Sequence, residues 1–256
     1  MVRVKPVKHE DRLTLIEHLD ELRTRMLIAI VAFAVGFGLC FWQNHLILDL
    51  LNDPLPGNRT PVTLSVTEPF MTTLTVSAYA GLMLALPAVF YQLYAFVMPA
   101  FSPTERRIAL PLLLMIPFLF FGGVAFGYFI VLPAAVKFLL HFNADQFNIQ
   151  IRAREYYSFV AMTLVALGVL FQIPVAIVAA TRLGITTPRQ LRRYRRHAIL
   201  VIAIVAMLLP GTDPVTMLLS MVPLLVLYEL SIVLAAILGR PPRDRVESAP
   251  APGGPG

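Results

Sequence analysis

Long stretches without a single Asp, Glu, Lys or Arg decide what this chain can become. Five are uninterrupted: Met26–Leu48, Pro69–Thr104, Ile108–Val136, Tyr156–Thr181 and His197–Thr212. A sixth, from Pro214 to Gly239, is broken only by Glu229. A helix crosses the ~30 Å hydrocarbon core with roughly 20 apolar residues at 1.5 Å each. Charged residues make up 14% of the chain, against about 25% in a soluble domain, too few to cover a globular surface. The fold class is therefore an all-α polytopic membrane protein. The pattern predicts six transmembrane helices, near 26–48, 71–98, 108–133, 156–181, 197–212 and 215–238. Residues 1–25 form a charged, amphipathic lead-in to a membrane domain over 26–239, and the Pro-, Gly- and Ala-rich tail over 240–256 is expected to be disordered.

An even number of spans puts both termini on one side. Lys and Arg crowd cytoplasmic segments. The two ends and the 99–107 and 182–196 links carry seventeen of them, and the other three connections carry four. Both termini are expected in the cytoplasm. The segments 49–68 and 137–155, which carry Pro, Gly, Asn and Asp, then form a small exterior cap. Pro87, Pro111, Pro117, Pro174 and Pro223 each remove an intrahelical hydrogen bond and predict kinks. The fifth run has about 24 Å of helix, short enough to invite local bilayer thinning.

Several chemistries are excluded. A single cysteine, Cys40, leaves no disulfide framework and no multi-cysteine metal site. The five histidines are scattered without metal-ligand spacing, and no phosphate-binding loop or nucleophile motif is present, so no cofactor is implied. The net charge of +6 belongs to basic residues lying between apolar blocks. That distribution fits lipid headgroups and membrane orientation rather than nucleic acid.

What chemistry remains lies at the membrane edge and at membrane depth. Before the first span, His18-Leu19-Asp20-Glu21-Leu22-Arg23-Thr24-Arg25 places Glu17 and Glu21 at i, i+4 and Leu15, Leu19 and Leu22 on one face. Read alone, this is more simply an amphipathic lead-in whose arginines anchor headgroups. The link Pro99-Ala100-Phe101-Ser102-Pro103-Thr104-Glu105-Arg106-Arg107 holds one acid. Glu105 offers two oxygens suited to a guanidinium, or else pairs locally with Arg106 or Arg107. Within the spans lie Gln172 and Glu229. A carboxylate at the bilayer centre costs about 2.5–3.5 kcal/mol on insertion scales and so calls for a partner or a task. Glu229 falls near mid-membrane, where it could be protonated.

These segments, in order, resemble the TatC family, the multispanning receptor subunits of the twin-arginine (Sec-independent) protein translocase. The resemblance runs from about Leu15 to Leu238. Besides the two segments above, it is carried by Pro54-Leu55, Tyr91-Gln92-Leu93-Tyr94-Ala95-Phe96-Val97-Met98-Pro99-Ala100, Phe171-Gln172-Ile173-Pro174-Val175, Leu183-Gly184-Ile185-Thr186 and the turn at Asp213. It implies a concave bundle in the bacterial inner membrane that binds Arg-Arg signal peptides of folded cargo at the cytoplasmic face. TatA- and TatB-type single-span partners, self-association and drive by the protonmotive force are implied with it. The residues matching the signal site are Glu21, Arg23, Phe96, Glu105, Arg106 and Arg107. Gln172, Met207, Asp213, Met217 and Glu229 stand as intramembrane polar or partner contacts, with Pro54 and Tyr128 as structural positions. Two departures are visible: Gln172 stands where the family commonly has Glu, and Met217 where it often has Gln. A small-solute carrier or a membrane enzyme is the competing reading. The carrier lacks repeat symmetry and the enzyme lacks a nucleophile–base or metal pattern.

Overall fold

A computed structural model describes residues 15–56, 60–97, 106–146, 149–182, 184–209 and 213–238. Among them the chain is helical, with one isolated bridge between Val62 and Arg152 in place of a sheet. The helices are α1 (Leu15–Trp42), α2 (Asn44–Asn52), α3 (Glu68–Val97), α4 (Arg106–Phe126), α5 (Leu132–His141), α6 (Ala153–Leu170), α7 (Ile173–Arg182), α8 (Pro188–Arg193), α9 (Arg195–Met207) and α10 (Pro214–Leu238). Five stretches are long and apolar enough to cross a membrane: Asp20–Trp42, Glu68–Phe96, Leu113–His141, Ala153–Arg182 and Pro214–Ile237. The predicted fifth span is the 13-residue α9, about 20 Å long.

Helix boundaries depart from the charge-free runs for local reasons. Charge does not interrupt a helix, so α1 begins at Leu15 and carries Glu21, Arg23 and Arg25 on its first turns before ending at Trp42. Pro133 supplies no N–H to the carbonyl four residues back. A π-helical turn over Gly127–Val131 precedes it, in which the Leu132 N–H donates to the Gly127 carbonyl five residues away. Pro174 has the same effect in the next span, and α6 and α7 part at Phe171 and Gln172. Gly184, at φ +74°, ends α7 in the left-handed conformation that a side chain disfavours.

Apolar lipid gives helices little reason to associate, so close backbone approach carries the packing. The antiparallel α1 and α3 cross at Gly36 and Gly81, where a Cβ on Gly81 would come within 2.5 Å of the Phe37 backbone nitrogen. A similar contact seats Gly123 of α4 against the Leu167 carbonyl of α6, with Phe120 over Gly168. The largest buried cluster gathers Leu51, Leu55, Leu132, Val136, Tyr156, Tyr157 and Val160 where α2, α5 and α6 meet.

At this end the two predicted cap segments do join. The Val62 N–H donates to Ile151 O at 2.8 Å and the Ala153 N–H to Val62 O at 2.9 Å. Beneath them Glu68, its side chain 3% exposed, accepts from Arg152 Nε at 3.0 Å and from the Leu64 N–H at 2.9 Å. The bond to Glu68 pushes the Arg152 pKa up, holding the guanidinium charged. Three tyrosines tie the end of α2 to the bundle. Tyr128 donates to Leu50 O at 2.8 Å, Tyr156 to Leu51 O at 2.7 Å and Tyr157 to Asn52 Oδ1 at 2.8 Å. Pro54 sits in the turn directly after this clamp.

Candidate functional site

At the end of the bundle away from the cap, the register set by Gly36 and Gly81 brings Arg25 of α1 opposite Gln92 of α3. Arg25 donates through Nε and Nη2 to Glu21 Oε1 at 3.0 and 2.5 Å, and through Nη1 to Gln92 Oε1 at 3.1 Å. The Glu21–Arg25 spacing is i, i+4, so one helical turn stacks them. Both are about three-quarters buried. A pocket of about 470 Å³ opens on Asp20, Glu21, Thr24, Arg25, Ile28 and Gln92. Beside it an apolar groove between α1 and α3 is lined by Leu22, Met26, Val89, Leu93 and Phe96. Glu21 and Phe96 thus share one seam. Arg23, two residues from Glu21 and so on the far side of α1, is exposed. Glu105 and the side chains of Arg106 and Arg107 lie outside the described residues; α4 begins at Arg106.

A second constellation forms where α9 turns into α10. Asp213 caps α10: its Oδ1 accepts the Thr216 N–H at 2.8 Å and its Oδ2 the Thr216 hydroxyl at 2.6 Å. A carboxylate suits the positive end of a helix. The adjoining cavity, about 320 Å³, is lined by Ala206, Met207, Leu209, Asp213, Pro214, Thr216 and Met217. Met207, Asp213 and Met217, which lie within ten positions of one another, line one groove.

Gln172 and Glu229 stand elsewhere. Gln172, 8% exposed, donates through Nε2 to Ile116 O of α4 at 3.2 Å, and its Oε1 is buried with no partner among the described residues. Glu229 accepts from Arg195 Nη2 at 2.6 Å, each side chain about half exposed. Next to it the Tyr228 hydroxyl donates to Leu191 O at 2.9 Å. Glu229 therefore lies level with the α8–α9 junction and carries a counter-ion rather than standing alone in apolar surroundings. Sequence reasoning did not single out Arg25, Gln92, Thr216, Glu68 or Arg152 as site residues. Gln92, a polar residue in the last turns of an apolar span, was the one with a visible signal.

A family model described as Sec-independent protein translocase protein (TatC) matches residues 17–223. The chain belongs to the TatC family. It is 37% identical over 235 residues to the Sec-independent protein translocase protein TatC of Aquifex aeolicus (strain VF5), covering 90% of this chain and 98% of that one. Against the TatC of Escherichia coli (strain K12) it is 36% identical over 243 residues, covering 93% and 94%. A crystal structure described as that of the twin arginine translocase receptor TatC in DDM superposes with a TM-score of 0.76 at 36% identity, over 85% of this chain and 99% of that chain. A second, without that detergent in its description, superposes with a TM-score of 0.75. TatC membership makes the chain a multi-pass membrane component of a Sec-independent protein translocase.

Proposed function

We propose that this chain is the signal receptor of a bacterial twin-arginine translocase, binding Arg-Arg signal peptides of folded cargo at its cytoplasmic face. In this reading it lies in the inner membrane with six spans, α9 being the fifth, and with both termini cytoplasmic. The seam that holds Glu21, Arg25, Gln92 and Phe96 is the observation that carries it. Here a carboxylate about three-quarters buried and an amide already grip one guanidinium, that of Arg25, beside an apolar groove suited to the residues that follow an arginine pair. Glu105, in the link just before α4, supplies the second carboxylate, with Arg106 and Arg107 beside it and Arg23 on the opposite side of α1. Two guanidinium groups call for two held carboxylates, and bidentate geometry favours Arg over Lys. The solved neighbour described as a twin-arginine translocase receptor supports the same role.

The groove of Met207, Asp213 and Met217 is the docking place for a TatA- or TatB-type single-span helix, with Gln172 and Glu229 as further polar contacts. Copies of the chain self-associate within the complex, and translocation draws on the protonmotive force. The direct test is binding of a signal peptide to the purified protein. An Arg-Arg peptide is expected to bind about tenfold or more tighter than its Lys-Lys counterpart. Equal binding of the two would overturn the reading.

A further inference from the structure

The junction between α8 and α9 carries more positive charge than the described residues neutralise. From Tyr156 to Leu238 the sequence holds only two acids, Asp213 and Glu229. Asp213 caps α10, and Glu229 is held by Arg195. Arg192, Arg193 and Arg196 are exposed, and none has a carboxylate partner among the described residues. Tyr194, at φ −95° and ψ 17°, closes α8 and opens α9: its N–H donates to Gln190 O at 2.9 Å, and its carbonyl accepts from the Ala198 N–H at 3.0 Å. Within α9 the four-residue spacing of Arg196, Leu200 and Ile204 marks one face, and Arg192 and Arg193 end α8 just before it. Leu200 is 61% exposed and Ile204 48%. The opposite face of α9 is spent on the bundle, with Ile202 and Ala206 buried and Arg195 turned to Glu229.

A row of exposed aliphatic side chains, topped by guanidinium groups without a carboxylate partner among the described residues, is complementary to one amphiphile. We infer that this junction binds an anionic phospholipid. Arg192, Arg193 and Arg196 hold its phosphate, and Leu200 and Ile204 lie along its acyl chains. Arg is suited to phosphate by its planar fork of donors. Orientation of the chain by positive charge needs only the charges; it does not require one of them, Arg196, to stand in register with an apolar stripe. The shortness of α9 adds to the case where α9 is a span. Arg196 then reaches less far from the opposite interface than it would on a full-length helix, which holds it close to the phosphates of neighbouring lipids.

The test uses the full chain in phosphatidylcholine vesicles containing a minor fraction of brominated phosphatidylglycerol or, separately, brominated phosphatidylcholine. Trp42, the only tryptophan, is replaced by Phe, and the lipid-facing Leu200→Trp variant reports bromine quenching. Brominated phosphatidylglycerol is expected to quench more strongly than brominated phosphatidylcholine at equal fraction. Arg193→Gln and Arg196→Gln are each expected to lower that preference roughly fivefold, the effect of one arginine at an anionic surface. The double variant Arg195→Gln/Glu229→Gln removes the pair on the opposite face without orphaning a carboxylate, and it retains the preference. Equal quenching by the two lipids in the otherwise intact protein would overturn the site. So would loss of preference in the Arg195/Glu229 double variant as complete as in Arg196→Gln. Inorganic phosphate that abolished the preference at matched ionic strength would assign the arginines to free phosphate, and would overturn it as well.

Discussion

At the scale of single residues, Gln172 shows how a neutral group settles where a charge would be costly. Its amide donates to the Ile116 carbonyl across the α4–α7 seam while its own oxygen is left buried without a partner among the described residues. A neutral hydrogen bond contributes about 0.5–1.5 kcal/mol, and an orphaned acceptor gives part of that back. Gln172→Glu, protonated in such surroundings, can still donate one bond, so transport of an Arg-Arg cargo is expected to stay close to normal. Gln172→Leu loses the bond and is expected to impair transport. Equal, full activity of both variants would reduce the position to packing. Glu21, Gln172, Glu229 and Asp213 stood out in the sequence as charges or amides in unusual company, and each has a polar partner in the structure. Arg25 and Gln92 were quoted but not singled out, since their pairing spans 67 positions and needs the α1–α3 register. Glu68 and Arg152 were missed for the same reason, being 84 positions apart. Each reads alone as an ordinary loop charge.

At the scale of elements, the spans were legible as apolar runs because lipid tolerates no unpaired backbone and a helix satisfies its own. Their ends were not, because a charged turn extends a helix into the interface without breaking it, as Glu21 to Arg25 do in α1. The parting of α6 from α7 was foreshadowed by Pro174, and the π-helical turn before Pro133 was not. The α1–α3 crossing gives the sharpest element-scale expectation. Gly81→Leu drives a side chain into the Phe37 and Gly36 backbone, and overpacking of this kind costs about 1–3 kcal/mol. The same displacement separates Arg25 from Gln92. The variant is expected to melt earlier and to lose signal affinity together. Gly38→Leu, where a Cβ meets nothing within 4 Å, is expected to do neither. A Gly81→Leu protein with wild-type melting would show that the crossing bears no load.

At the scale of the whole molecule, the bundle separates two tasks. One end is stitched by the Val62–Arg152 bridge, the Glu68–Arg152 pair and three tyrosine hydroxyls. The other presents the Glu21–Arg25–Gln92 seam. The proposed orientation puts the stitched end outside and the seam in the cytoplasm, and single cysteines test it. With Cys40→Ala as background, cysteines at Asn58, Ser102, Asn148 and Gln190 are exposed to an impermeant thiol reagent added to intact cells. Positions 58 and 148 are expected to label alone; labelling at 102 or 190 would reverse the topology. The central claim is recognition of paired arginines by Glu21 and Glu105, and one measurement reaches it most directly: affinity of an Arg-Arg signal peptide for membranes holding matched amounts of each variant. Loss of one charge-assisted hydrogen bond costs about 1.5–3 kcal/mol, or roughly ten- to a hundredfold in affinity. Glu21→Ala and Glu105→Ala are each expected to fall in that range while the protein stays inserted and abundant, and Glu105→Arg is expected to bind more weakly still. Unchanged affinity in both Ala variants would contradict the account.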